Sequence, residues 1–92
     1  MIIPLFDLGQ IVATPGALGA LDAAHINAAT LINRHVSGDF GNLDAHDIAA
    51  NHDAARNGYR ILSSYDLSTG ATVWIITEWD RSITTLLLPE DY

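Results

Sequence analysis

The sequence predicts an α+β domain: a short N-terminal strand, two to three short helices, then a C-terminal three-stranded antiparallel β-meander packed on the helices. Three observations predict it. The apolar period changes from helical spacing to strict alternation after Gly58. Helix-capping residues punctuate the chain before that point. The stretch from Tyr59 to Leu88 concentrates the β-branched residues, both tryptophans and two of the four arginines.

No linker, internal repeat or low-complexity run interrupts the 92 residues, so the chain reads as one domain. A domain of this length buries a modest share of its surface and is marginal alone. With no cysteine it has neither a disulfide framework nor a thiolate metal site to add stability. Pairing with itself or with a partner is the natural supplement.

Leu8 to Ala13 has the alternation of a short strand, a candidate fourth strand beside the meander, and is stopped by Thr14-Pro15-Gly16. Thr14 can cap a helix with Pro15 in its first turn, running to about Ala24 with Leu18 and Leu21 inward. Asn27 caps a second helix, whose one face carries Ala28, Leu31, Ile32 and His35, ending near Ser37-Gly38. Residues 38–44, GDFGNLD, read as a structured loop from which Phe40 plugs the core. Asp44 caps a third helix with Asp47 in its first turn and Asn57-Gly58 closing it; its inward stripe reads Ala45, Ile48, His52 and Ala55.

The meander follows as Tyr59 to Tyr65, a connection from Asp66 to Gly70, Ala71 to Thr77, a turn from Glu78 to Ser82, and Ile83 to Leu88 before Pro89. Closing the first hairpin with Tyr65 opposite Ala71 sets Arg60 diagonally from Glu78, a half-buried pair across the sheet. Alternation gives one face Tyr59, Ile61, Val73 and Ile75 and the other Leu62, Trp74 and Ile76, while Ile83 and Leu87 part from Leu86 and Leu88. Both faces are apolar. A solvated face would show polar residues at every second position, so either helices cover both sides or one face meets a partner or a second copy.

Eleven Asp and Glu against four Arg and no Lys give a formal charge of −7. Neutralising phosphates requires cations, so direct nucleic-acid binding is disfavoured, whereas a basic protein surface is attracted. The N-terminus lacks a basic region ahead of its few apolar residues, and no run approaches the roughly 18 apolar residues of a membrane span. A cytoplasmic protein is expected.

The tip Glu78-Trp79-Asp80-Arg81-Ser82 gathers two carboxylates, a guanidinium and a hydroxyl. As chemistry it could hold a phosphate or supply Glu78 as a general base; as structure, Asp80 and Ser82 stabilise a turn while Arg81 pairs with a neighbour. The structural role is favoured. A tryptophan in a turn is costly to leave in water unless it packs or binds, which marks Trp79, with Glu78, Asp80, Arg81 and Trp74, as the expected partner-binding surface. The histidines at 25, 35, 46 and 52 lack the three- or four-residue helical spacing of paired metal ligands, so neither a metal nor a cofactor is expected. His35 and His52 fall on inward stripes and could meet each other or Asp39.

Three blocks carry a resemblance: GQIVATPGAL (9–18), RHVSGDFGNLD (34–44) and GYRILSSYDLSTGATVWIITEWDRSITTLLLPEDY (58–92). They resemble a family of small proteins of about a hundred residues encoded on bacterial plasmids and other mobile elements, often labelled plasmid-related or type I restriction endonuclease subunit M. The likeness covers about four-fifths of the chain. It departs at Phe40, where the family usually has Trp, and at Trp79, where it usually has Ala. Methyltransferase activity is not supported, because the chain has no Asp/Asn-Pro-Pro-aromatic loop for a flipped base and no glycine-rich cofactor turn. A neighbourhood of defence genes is what such a label implies.

The expected function is therefore non-enzymatic: a protein-binding module of a mobile element, acting as an inhibitor of a host defence system such as CRISPR or restriction. The alternative rests on RILSS and the acidic turn, which resemble the last hairpins of barnase-type ribonucleases. It implies a small nuclease using Arg60, Glu78, Arg81 and His35. Those enzymes place a histidine acid on the sheet, whereas all four histidines here lie upstream of it.

Overall fold

The structure, a computed structural model, describes residues 3–92. Its elements are β1 (Gln10–Ala13), α1 (Pro15–Ala23), α2 (Ala28–Val36), α3 (Ala45–Asn57), β2 (Ile61–Asp66), β3 (Thr72–Thr77), β4 (Ile83–Leu87) and a 3-10 turn at Pro89–Asp91. The expected α+β class holds. The expected three-stranded sheet is extended: β1 joins the meander to give a four-stranded mixed sheet in the order β1-β4-β3-β2, with β1 parallel to β4 and the other pairs antiparallel.

The predicted caps start all three helices. Thr14, Asn27 and Asp44 each accept a hydrogen bond from a backbone N–H of the first turn, at Ala17, Ala29 and Asp47. These local contacts satisfy donors that a helix start leaves without partners. Gly58 closes α3 at a φ of 76°, in the left-handed region that spares a glycine the Cβ clash.

One face of the sheet carries the helices. Ala17 and Leu21 of α1 and Leu31 of α2 pack on Tyr65, Val73, Ile75 and Leu86, while Val36 and Ala54 join Phe6, the loop residue Phe40 and Ile61 in a second cluster. Two inward assignments need correction. Leu18 is 53% exposed and Ala17 fully buried in its place, because the small side chain lets α1 approach the sheet closely. On α3 the buried residues are Asn51 and Ala54, whereas Ala45 is exposed and Ile48, His52 and Ala55 are half-buried.

Asn51 turns inward because β2 is an edge strand. Its amide donates to the Leu62 carbonyl at 2.8 Å and accepts from the Leu62 N–H at 3.2 Å. Farther along, Ser64 donates to the Phe40 carbonyl and accepts from the Asn42 N–H, and the Asp66 N–H donates to the Asn42 side chain. The loop and one side chain thus occupy the outward polar groups of this edge, which would otherwise be a template for another strand. Gly41 is required there: a Cβ at its φ of +76° would lie 2.1 Å from the Ser64 oxygen.

The second face is covered differently. Leu62, Trp74, Ile76 and Leu87 lie on it, and Ile76 and Leu87 belong to neither helix-packed cluster. Cover comes from the C-terminal turn, where the Tyr92 ring stands edge-on to Trp74 at 6.0 Å and Arg60 reaches over it. Thr14 Oγ1 donates to Asp91 at 2.7 Å and fastens that turn to the start of α1. The hairpin register is also corrected. Tyr65 faces Val73, not Ala71, a shift of two positions that keeps every side chain on its predicted face.

Candidate functional site

The β3–β4 hairpin tip is held rigidly from within. The Arg81 N–H donates to the Glu78 carbonyl and the Glu78 N–H to the Ile83 carbonyl, closing a tight turn with Arg81 at a φ of 60°. A non-glycine residue in that region is strained by about 1–2 kcal/mol, and the guanidinium shows what offsets it. Nη1 donates to the Tyr59 and Glu78 carbonyls at 2.6 and 3.1 Å, and Nη2 to the Ala54 carbonyl at 2.8 Å. The Ala54 carbonyl, in the last turn of α3, already accepts from the Gly58 and Tyr59 N–H groups, so Arg81 adds a charged donor there and ties the tip to the helix layer.

Asp80 completes the turn by accepting from the Ser82 N–H and hydroxyl at 3.1 and 2.7 Å, and those donors hold its carboxyl below the usual carboxylate range. The predicted structural roles of Asp80 and Ser82 are thus present, and the neighbour of Arg81 proves to be main-chain carbonyl groups. Gly9 lies against the tip so closely that a Cβ would sit 2.4 Å from the Arg81 oxygen. Trp79 does not fold back on the sheet. Its side chain projects from this braced turn and the residue is 66% exposed.

Arg60 and Glu78 form the predicted cross-strand pair at 3.4 Å, half in solvent, facing one another directly in the observed register. Arg60 Nη1 also donates to the Tyr92 hydroxyl at 2.6 Å. An exposed pair of this kind adds little stability, but it arranges a cation, a carboxylate and two aromatic rings, Trp74 and Tyr92, on one face.

His35 lies on the other side of the sheet. It is fully buried, with Nδ1 2.6 Å from Ser63 Oγ and Nε2 2.9 Å from Thr77 Oγ1. Thr77 Oγ1 is 2.8 Å from Thr84 Oγ1, and Thr84 donates to the Leu8 carbonyl at 2.7 Å. Because a carbonyl can only accept, the protons are fixed from that end: Thr84 accepts from Thr77, Thr77 accepts from Nε2–H, and with the ring neutral Nδ1 accepts from Ser63. The imidazole is neutral there, since burial pushes its pKa down to about 4. Phe6 and Phe40 close around it edge-on, at 5.1 and 6.3 Å.

The four residues of the nuclease alternative are therefore not brought together. Arg60 and Glu78 share the parity of Leu62 and Ile76, on the face opposite His35, and three Arg81 donors are taken by carbonyl oxygens. Nor do His35 and His52 meet: both lie against Phe40, and Asp39 pairs with Arg34 at 2.7 Å. Among the described residues no group of three metal-ligating side chains converges.

Sequence reasoning missed Ser63, Thr77 and Thr84, the partners that make His35 part of a continuous hydrogen-bonded chain. Their signal was parity, since they alternate in step with Ile61, Ile75 and Leu86 on the helix-packed face. None of the protein families, curated proteins or solved structures compared with this chain matches it. No helix among the described residues is long and apolar enough to cross a membrane.

Proposed function

We propose that this protein is a non-catalytic binding module whose partner seats on the hairpin tip and the adjoining surface of Arg60, Trp74 and Tyr92. One observation carries the reading: Trp79 is 66% exposed on a turn that Arg81 and Asp80 hold rigid. A fixed, exposed tryptophan loses little freedom on binding and supplies the large apolar area typical of an interface anchor. Asp80 beside it and the formal charge of −7 suit a basic partner surface.

The resemblance of residues 9–18, 34–44 and 58–92 to mobile-element proteins makes a host defence complex, of the CRISPR or restriction kind, the proposed target. In that setting the module inhibits by occupying a basic surface that the complex needs for nucleic acid. Affinity capture from a host carrying such a system tests the surface. The double variant Trp79→Ala, Asp80→Arg should retain its fold and lose the captured complex; undiminished capture rejects this surface.

A further inference from the structure

The two edges of the sheet are finished in opposite ways. On β2 the outward groups of Leu62 and Ser64 and the N–H of Asp66 are occupied by Asn51, Phe40 and Asn42. Along β1 the N–H groups of Gln10 and of Thr14, just past its end, donate to the carbonyls of Ser82, just before β4, and Leu86. Alternation then turns the N–H and C=O of Ile11 and Ala13 away from β4, and among the described residues neither is hydrogen-bonded. The Ile11 residue is 47% exposed. No lysine, proline or bulge blunts this edge, and Gln10 to Ala13 carry no charge.

We infer that β1 pairs antiparallel with β1 of a second copy, joining two four-stranded sheets into one of eight. Centring the two-fold axis on Val12 sets Ile11 opposite Ala13 of the other copy, and each such pair exchanges two N–H···O=C bonds. Four bonds form in all, and a large side chain meets a small one on both sides of the axis. The same patch serves both copies, as a closed two-fold interface requires.

A second copy is chosen over a foreign strand because the edge complements itself in hydrogen bonding and lacks like charges that would meet across the axis. Four residues a side bury less than the roughly 1,200–2,000 Å² of a stable interface, so the dimer is a reversible one. Two copies of formal charge −7 also repel at long range. Association should accordingly strengthen with salt. Partner binding through an acidic tip should weaken with salt, so the two proposals can fail independently.

The test is sedimentation equilibrium of the protein alone, from about 1 μM to about 1 mM, in low salt and in about 1 M salt, where the screening length falls to about 3 Å. Amide exchange is followed in parallel. The expected result is a mass that doubles with concentration, more readily in high salt, together with new protection at Ile11 and Ala13. Ile11→Pro removes only an outward N–H and should weaken association about thirtyfold, with Val12 and Thr14 still protected as evidence of the intact β1–β4 ladder. If that variant does not fold, Ile11→Lys serves instead, keeping the backbone and adding an edge charge. A monomer throughout, a dimer that leaves Ile11 and Ala13 exchanging freely, or protection that arises only when a different protein is added overturns the inference.

Discussion

The two faces of this sheet are built on different principles. Beneath the helices, polar groups are admitted only when completely partnered: Ser63, His35, Thr77 and Thr84 pass hydrogen bonds in one direction to the Leu8 carbonyl, inside walls of Phe6, Phe40 and Ile61. On the opposite face Trp74, Arg60 and Glu78 are only half covered, and Tyr92 and, beyond them, Trp79 stand largely in solvent. The difference separates stability from contact. A buried polar chain is costly to break at any link, whereas exposed aromatic and charged groups can be altered with little effect on folding.

The comparison is most sharply tested at His35. Replacement by alanine leaves Ser63 and Thr77 each short of a buried partner and opens a cavity, with an expected loss of about 3–5 kcal/mol in urea unfolding. A loss below about 1 kcal/mol would show that the chain is not a stability element. Protonation attacks the same link. The folded pKa of about 4 lies below the unfolded value of 6.5, so between them the unfolded state binds the extra proton. The neutral imidazole's contribution is complete above the unfolded value and is lost as pH falls toward the folded one, about 3 kcal/mol in all. In His35→Gln that part of the pH dependence should be absent.

A smaller effect is expected where the tip meets the helix layer. Arg81→Ala removes the bonds to Ala54 and Tyr59 while leaving a side chain at positive φ, and should cost about 2 kcal/mol. Arg81→Gly loses the same bonds but relaxes the backbone, so it should be the more stable of the two by about 1 kcal/mol. Equal stabilities would mean that the turn is not strained. At the far end of the scale, Trp79→Ala should change unfolding stability by less than about 0.5 kcal/mol, as an exposed substitution does.

What the sequence made legible follows the range of the interactions. Thr14, Asn27 and Asp44 were readable as caps because each bonds a residue two or three positions on. The Glu78–Ser82 tip and the Arg60–Glu78 pair were readable because a meander brings neighbours together. The parallel pairing of β1 with β4 joins segments about seventy residues apart, and nothing in Gln10–Ala13 names its partner strand. The inward stripe read for α3 lacks Asn51 for a physical reason: a polar amide is drawn inward only by a strand edge elsewhere in the chain that needs it. Parity sets Ser63, Thr77 and Thr84 on the face of Ile61, Ile75 and Leu86, but their partner, His35, comes from another element and no local pattern names it.

The central claim is that the braced tip exists for contact. It is tested most directly by comparing the protein and its Trp79→Ala, Asp80→Arg variant in one experiment, measuring urea unfolding and capture of a defence complex side by side. The account predicts unfolding midpoints that coincide and a complex retained by the unaltered protein alone. Equal capture by both proteins, or RNA hydrolysis by the purified protein that Arg60→Ala abolishes, would contradict it.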